Sequence, residues 1–92
     1  MIAQPMSFRC KIRILKIDAD PKVAGRSLLS FIIEESPKEA EGNSFFEKGK
    51  NAKGTSFDKL PALTGELIVF ANVKFYGDPF HENFEVSDVV II

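Results

Sequence analysis

The sequence predicts a small all-β domain, an antiparallel barrel or sandwich of four to five strands. Residues 67–76 and 83–92 alternate between apolar and other side chains on either side of a turn-rich segment. Residues 8–17 and 26–35 repeat this arrangement around a second segment of turn residues. The chain is therefore expected to form two long hairpins.

The terminal hairpin has matching faces when its two segments are paired antiparallel about residues 77–82. A slip of one residue would turn a whole strand over, so the agreement between partners predicts the register. The other face pairs Lys74 with Glu85 near the turn. The predicted pairs on the core face are Phe75 with Phe84, Val73 with Val86, Ala71 with Asp88, and Val69 with Val90.

Asp88 is the exception in this hairpin, because it faces Ala71 among apolar pairs. A bulge at residues 87–88 would turn the carboxylate outward. A position at the mouth of a barrel would also leave the carboxylate in contact with solvent. The third alternative is a buried carboxylate, whose pKa would be raised by burial. A bulge or a mouth position is the favoured interpretation.

The first hairpin shows the same contrast between an apolar face and a mixed face. A helix over residues 21–35 is the alternative for its second segment, but Gly25 and the β-branched run Ile32-Ile33 favour a strand. The predicted core-face pairs are Ile14 with Leu29, Ile12 with Phe31, Cys10 with Ile33, and Phe8 with Glu35; Ile17 is placed opposite Arg26 on the other face.

The remaining segments complete a single domain over residues 1–92. Residues 1–6 are expected to be a flexible N-terminus. Residues 36–63 are expected to be a long loop or a crossover element that holds a short strand or helix. The apolar faces of the two hairpins must meet. A long first strand, a meander and a terminal hairpin resemble an OB-like barrel in architecture.

Composition excludes several classes of protein. An apolar fraction of 45% argues for a folded chain. A net charge of −1 gives no indication of binding to nucleic acid or to an anionic membrane. One cysteine excludes an intrachain disulfide and a multi-cysteine zinc site. No apolar run has the length of a membrane span. We therefore expect a cytoplasmic protein without a membrane partner.

Residues that support enzyme chemistry are few, and no catalytic residue, metal site or cofactor is expected. His81 lies near Asp78 and Glu82 in the predicted turn, where a solvated histidine is far commoner than a metal ligand. Cys10 alternates with apolar residues, which predicts a buried, structural thiol. An enzyme whose site is shared between subunits is the third and least favoured class.

The first functional hypothesis is a non-enzymatic binding or assembly module. The outer face of the terminal hairpin carries apolar side chains at the end farthest from its turn, and residues 36–63 or another protein must cover them. Exposure of such a patch is an aggregation hazard. The expected partner is a second copy in a symmetric dimer, or another protein. The predicted interface residues are Ile68, Phe70, Val89 and Ile91.

The alternative hypothesis is binding of single-stranded nucleic acid, which needs cations along the backbone path and aromatic faces for the bases. One strand offers a basic strip on a single face, and the long loop interleaves lysines with phenylalanines. Phe57 and Lys59 continue the loop pattern. The predicted nucleic-acid residues are Arg9, Lys11 and Arg13 of the strip, and Phe45, Phe46, Lys48, Lys50 and Lys53 of the loop.

Overall fold

The computed structural model describes residues 3–62, 65–78 and 81–92. Its strands are β1 (Ala3–Ala19), β2 (Ser27–Glu35), β3 (Asn51–Ser56), β4 (Leu67–Asp78) and β5 (His81–Ile91). They close into a barrel in the order β1-β2-β3-β5-β4, in which only the β3–β5 pair is parallel. The predicted small, OB-like β barrel is confirmed. Within the described ranges, no helix is long and apolar enough to cross a membrane.

The core is built from the inward-facing residues of the barrel strands, as the alternation predicts. Val69, Val73, Phe75 and Val86 are fully buried, so their predicted place in the core is confirmed. Two 3-10 turns, Lys38–Ala40 and Ser44–Phe46, follow β2.

Phenylalanines from the second 3-10 turn pack against those of the barrel. Phe45 stacks on Phe75 at a centroid distance of 4.0 Å, and Phe46 meets Phe8 edge to face at 4.8 Å. Phe46 is fully buried. The connection between β2 and β3 therefore completes the core, in addition to linking two strands.

The terminal hairpin has the predicted register from Tyr76–Asn83 to Asn72–Ser87. Beyond that point the register shifts by one residue, so that Val69 pairs with Ile91 and the predicted pairing of Val69 with Val90 is wrong. Asp88 causes the difference, because its φ of 50° is left-handed and marks a bulge. Its side chain is exposed, as the bulge interpretation requires.

The second segment of the first hairpin is strand β2 (Ser27–Glu35), preceded by a turn, so the helix alternative over residues 21–35 is wrong. The predicted register of the hairpin is wrong by two residues at Ile12 and Ile14, which pair with Ile33 and Phe31, and by three residues from Lys16 onward. An even shift leaves the same side chains facing the core, so the alternation cannot detect it.

The pairing of β1 with β2 has a register shift between Ile14 and Lys16. It brings Ile17 opposite Leu29 and against the core, whereas the sequence pattern places Ile17 on the outer face. Strand β1 also begins at Ala3 and pairs Met6 with Phe75, so it includes residues that the pattern leaves outside any strand.

The turn between β1 and β2 is held by one carboxylate. Asp20 accepts hydrogen bonds from the Lys22 amide at 2.8 Å and from Arg26 Nε at 2.7 Å. These bonds favour the charged form and hold the pKa of Asp20 below its usual value. They tie the two strands together where the ladder ends at Ala19–Ser27.

Strands β3 and β5 form the narrowest junction of the barrel. Only two residue pairs join them, Gly54 with Phe84 and Thr55 with Glu85. A Cβ on Gly54 would lie 2.8 Å from the Phe84 carbonyl oxygen and 3.0 Å from the Phe84 Cβ. Glycine at this position therefore allows the backbone of β5 to approach closely enough for closure.

Candidate functional site

Exposed apolar residues concentrate at the end of β5. Of the six large hydrophobic residues that are exposed in the described part of the chain, four lie here: Phe70, Val90, Ile91 and Ile92. Phe70 pairs with Val90, and Val69 pairs with Ile91. We call these four residues the apolar edge. Val90, Ile91 and Ile92 are each more than half exposed.

The Asp88 bulge decides which residues belong to the apolar edge. The predicted interface placed Val89 outward, but Val89 is partly buried and packs against the core, and Val90 occupies the position beside Phe70. Ile68 is half-buried and Phe70 is exposed. Ile91 is exposed but pairs with the buried Val69, so the prediction that it shares the outer face with Phe70 is wrong. The Ser87-Asp88 step was a signal for this change, because a bulge there moves the alternation by one residue.

The backbone of β5 also lacks a strand neighbour near its end. On the side away from β4, pairing with β3 stops at Thr55–Glu85. The next bond on that side is from the Val89 amide to Asp58 Oδ2, at 2.8 Å. A side-chain carboxylate thus replaces a strand, and beyond it β5 has no further strand partner on this side among the described residues. Such an edge is a template for another chain.

A polar cluster fixes the bulge from the outer face of the barrel. Asn72 Nδ2 donates to Asp88 Oδ2 at 2.9 Å, and Arg9 donates to the Asp88 carbonyl oxygen at 2.6 Å. Arg9 also lies 3.3 Å from Asn72 Oδ1. These bonds offset the cost of a left-handed backbone at a residue other than glycine.

The predicted basic strip is largely occupied by these and similar contacts. Arg9 holds the bulge, and Arg13 lies between Glu34 at 2.7 Å and Glu66 at 3.0 Å. Lys11 and Arg9 form no ion pair among the described residues, but the Arg9 guanidinium is engaged by neutral oxygen acceptors at the bulge. The strip therefore offers less free positive charge than its sequence indicates, chiefly because Arg13 lies between two carboxylates.

The phenylalanines and the lysines of the predicted nucleic-acid loop have different environments in the fold. Phe46 is fully buried and Phe45 stacks on Phe75, so neither ring is free to stack on a base. Lys50 pairs with Glu82 at 2.9 Å. Lys48 and Lys53 are exposed.

A concave cleft of about 680 Å³ lies within residues 34–48. Its lining includes Pro37 and Phe46, and its charged residues carry both signs. Among the residues that the structure describes, no three His, Cys, Asp or Glu side chains come together as a metal site. The side chain of His81 lies outside the described part of the structure.

Cys10 is 1% exposed, and burial raises the pKa of its thiol above the usual value. We expect the native protein at neutral pH to react with a thiol reagent far more slowly than the unfolded protein. Absorbance after addition of an aromatic disulfide, with and without denaturant, measures the two rates. Cys10→Ser supplies the zero-reaction control, since the chain has one cysteine. Equal rates in the two states would contradict the buried position.

No protein-family model, curated protein or solved structure matches the chain.

Proposed function

We propose that this chain is a non-enzymatic assembly module that associates with itself through the apolar edge. The observation that carries the proposal is that exposed apolar side chains coincide with the end of β5, whose backbone has no strand partner on one side among the described residues. Burying apolar surface contributes about 25 cal/mol per Å². An added strand would also satisfy the free backbone groups.

A second copy of the chain fits this edge by symmetry. Antiparallel pairing of two β5 edges about a two-fold axis gives both copies the same contacts, and closed two-fold pairs are the commonest oligomers. Residues 89–92 are Val, Val, Ile and Ile, so the paired stretches bring no like charges opposite each other. A different protein partner is the competing occupant.

The test is the molar mass of the protein in solution, measured by light scattering over a range of concentrations. We expect a dimer of about twice the 10.3 kDa chain mass. Phe70→Glu should give a folded monomer, because a buried unpaired carboxylate would weaken the dimer by about a hundredfold or more.

Leu28→Glu is the matched control for this experiment. Leu28 is 39% exposed and Phe70 is 41% exposed, but Leu28 lies on β2, away from the apolar edge. The control should remain dimeric. A native protein that stays monomeric at high concentration, or two variants that dissociate equally, would contradict assembly through this edge.

Single-stranded nucleic-acid binding is the second candidate function. The observation that favours it is an exposed phenylalanine, Phe57, on the same segment as two lysines that form no ion pair among the described residues, Lys53 and Lys59. Lys53 lies one row of paired residues from Arg13 of the strip, across β2.

A further inference from the structure

The outer face of β1, β2 and β3 combines cations, hydroxyl groups and apolar side chains in a regular array. One row across the three strands is Lys16, Ser30 and Lys53. The adjacent row is Asp18, Leu28 and Thr55. In both rows the central residue comes from β2. We call this array the β1–β2–β3 face.

The segment that follows β3 continues the chain next to this face. Side chains alternate along β3, so Ser56 is fully buried whereas Thr55 and Phe57 lie to the other side. Phe57 is 63% exposed, which is the largest exposure of any aromatic residue in the described ranges. Lys59 follows two residues later and is also exposed. The sequence thus places a free aromatic ring between two lysines.

Lys16 and Lys53 of this face, and Lys59 in the segment that follows β3, are available to a ligand, unlike Arg13 of the predicted strip. Lys53 and Lys59 form no ion pair with any described residue. Lys16 lies 3.4 Å from Asp18, and both side chains are more than half exposed. Such surface pairs contribute little, so Lys16 can exchange this partner for another anion. Asp18 and Glu85, which pairs with Thr55, limit the positive potential of the face.

We propose that the β1–β2–β3 face binds a single-stranded nucleic acid, with one base stacked on Phe57 and phosphates contacted by Lys53, Lys59 and Lys16. The proposal deepens the second candidate function and does not depend on the dimer. A single strand is the fitting ligand because its bases have free faces for the exposed ring, whereas the bases of a duplex are stacked on one another. The small number of cations predicts modest affinity with a shallow salt dependence.

The test is fluorescence anisotropy of a labelled thymidine oligonucleotide at about 50 mM salt, where phosphate contacts are strongest. Phe57→Ala should weaken binding by about 5- to 150-fold, the range expected for loss of one stacked base. Phe57→Tyr should restore binding, because it keeps the aromatic face.

Salt dependence tests the lysines separately. With two or three phosphate contacts, the slope of log affinity against log salt should be about −1.4 to −2.1. Lys53→Gln should make the slope shallower by about 0.7. Lys38→Gln is the matched control, since Lys38 is an exposed lysine of the first 3-10 turn, and it should leave both affinity and slope unchanged.

Three outcomes would overturn the proposal: no binding at low salt, equal binding of a duplex of the same length, or a Phe57→Ala variant that binds as well as the native protein. Phe57 is exposed, so Phe57→Ala should keep the thermal midpoint of the native protein. If Phe57→Ala fails to fold, Lys53→Gln and Lys59→Gln decide the matter.

A protein that dimerises without binding oligonucleotide refutes this site and leaves the assembly proposal standing. A protein that stays monomeric but binds the oligonucleotide supports this site and refutes the assembly proposal.

Discussion

Replacing Phe46 with alanine is expected to lower the free energy of unfolding by about 3–5 kcal/mol, the usual cost of truncating a buried aromatic residue. Phe46 is fully buried and meets Phe8 at 4.8 Å and Phe84 at 6.2 Å. It anchors the connection between β2 and β3, so its loss would leave a cavity among these rings. Urea unfolding followed by circular dichroism measures the change.

Phe57→Ala is the control for this prediction, because Phe57 is a phenylalanine of the same long segment but is 63% exposed. Its free energy of unfolding should change by no more than about 0.5 kcal/mol. If both variants lose the same small amount, Phe46 is not a core residue. In that case the sequence-based assignment of Phe46 to a nucleic-acid surface would regain its support.

Replacing Gly54 with alanine is expected to destabilise the barrel by about 1–3 kcal/mol, the usual cost of adding a methyl group where there is no room. The new Cβ would lie 2.8 Å from the Phe84 carbonyl oxygen, which is backbone and cannot rotate away as a side chain would. Since only two residue pairs join β3 to β5, the strain falls on the junction that closes the barrel.

Hydrogen exchange distinguishes this local effect from a general loss of stability. Amides of Gly54, Thr55 and Phe84 should exchange faster in Gly54→Ala than amides between β1 and β4, which pair over many residues. Thr55→Ala is the control, since Thr55 lies in the same strand on the outer side. Unchanged stability together with unchanged exchange at the junction would contradict the close approach of the two strands.

Alternation along the chain predicted most of the side chains that face the core, and it failed for Ile17 and Val89, which each follow an irregularity in their strand. Phe75 and Val86 are buried as expected, and so is Cys10, because a strand has only two faces and the apolar one must be covered. The same argument could not set the register of the first hairpin. A shift of two residues, as at Ile12 and Ile14, keeps every side chain on its face, so the pattern cannot detect it. The further shift between Ile14 and Lys16 turns Ile17 inward, and the pattern did not predict that irregularity.

The candidate site could be predicted only in part, for a similar reason. The pattern located an uncovered apolar region at the end of β5, where Phe70 is exposed as predicted. Ile91 is also exposed, but it pairs with the buried Val69 and so lies on the face opposite Phe70, not on the predicted outer face. The pattern placed Val89 outward because it had no means to choose a bulge over a mouth position at Asp88. That choice depends on bonds from Arg9 and Asn72, which are distant in the sequence and adjacent only in the folded barrel.

What the sequence by itself determined is the all-β fold and the inward residues of the regular strand stretches, since both follow from a local period of two. Only the tertiary structure decided which phenylalanine became core and which stayed exposed. Phe46 and Phe57 look alike in their local sequence, but Phe46 reaches the rings of Phe8 and Phe84 while Phe57 points away from the core. Tertiary contacts likewise decided which cations remain free. Arg9 bonds to Asn72 and Asp88, and Arg13 pairs with Glu34 and Glu66. All four partners lie on other strands or segments, and local periodicity carries no information about such contacts.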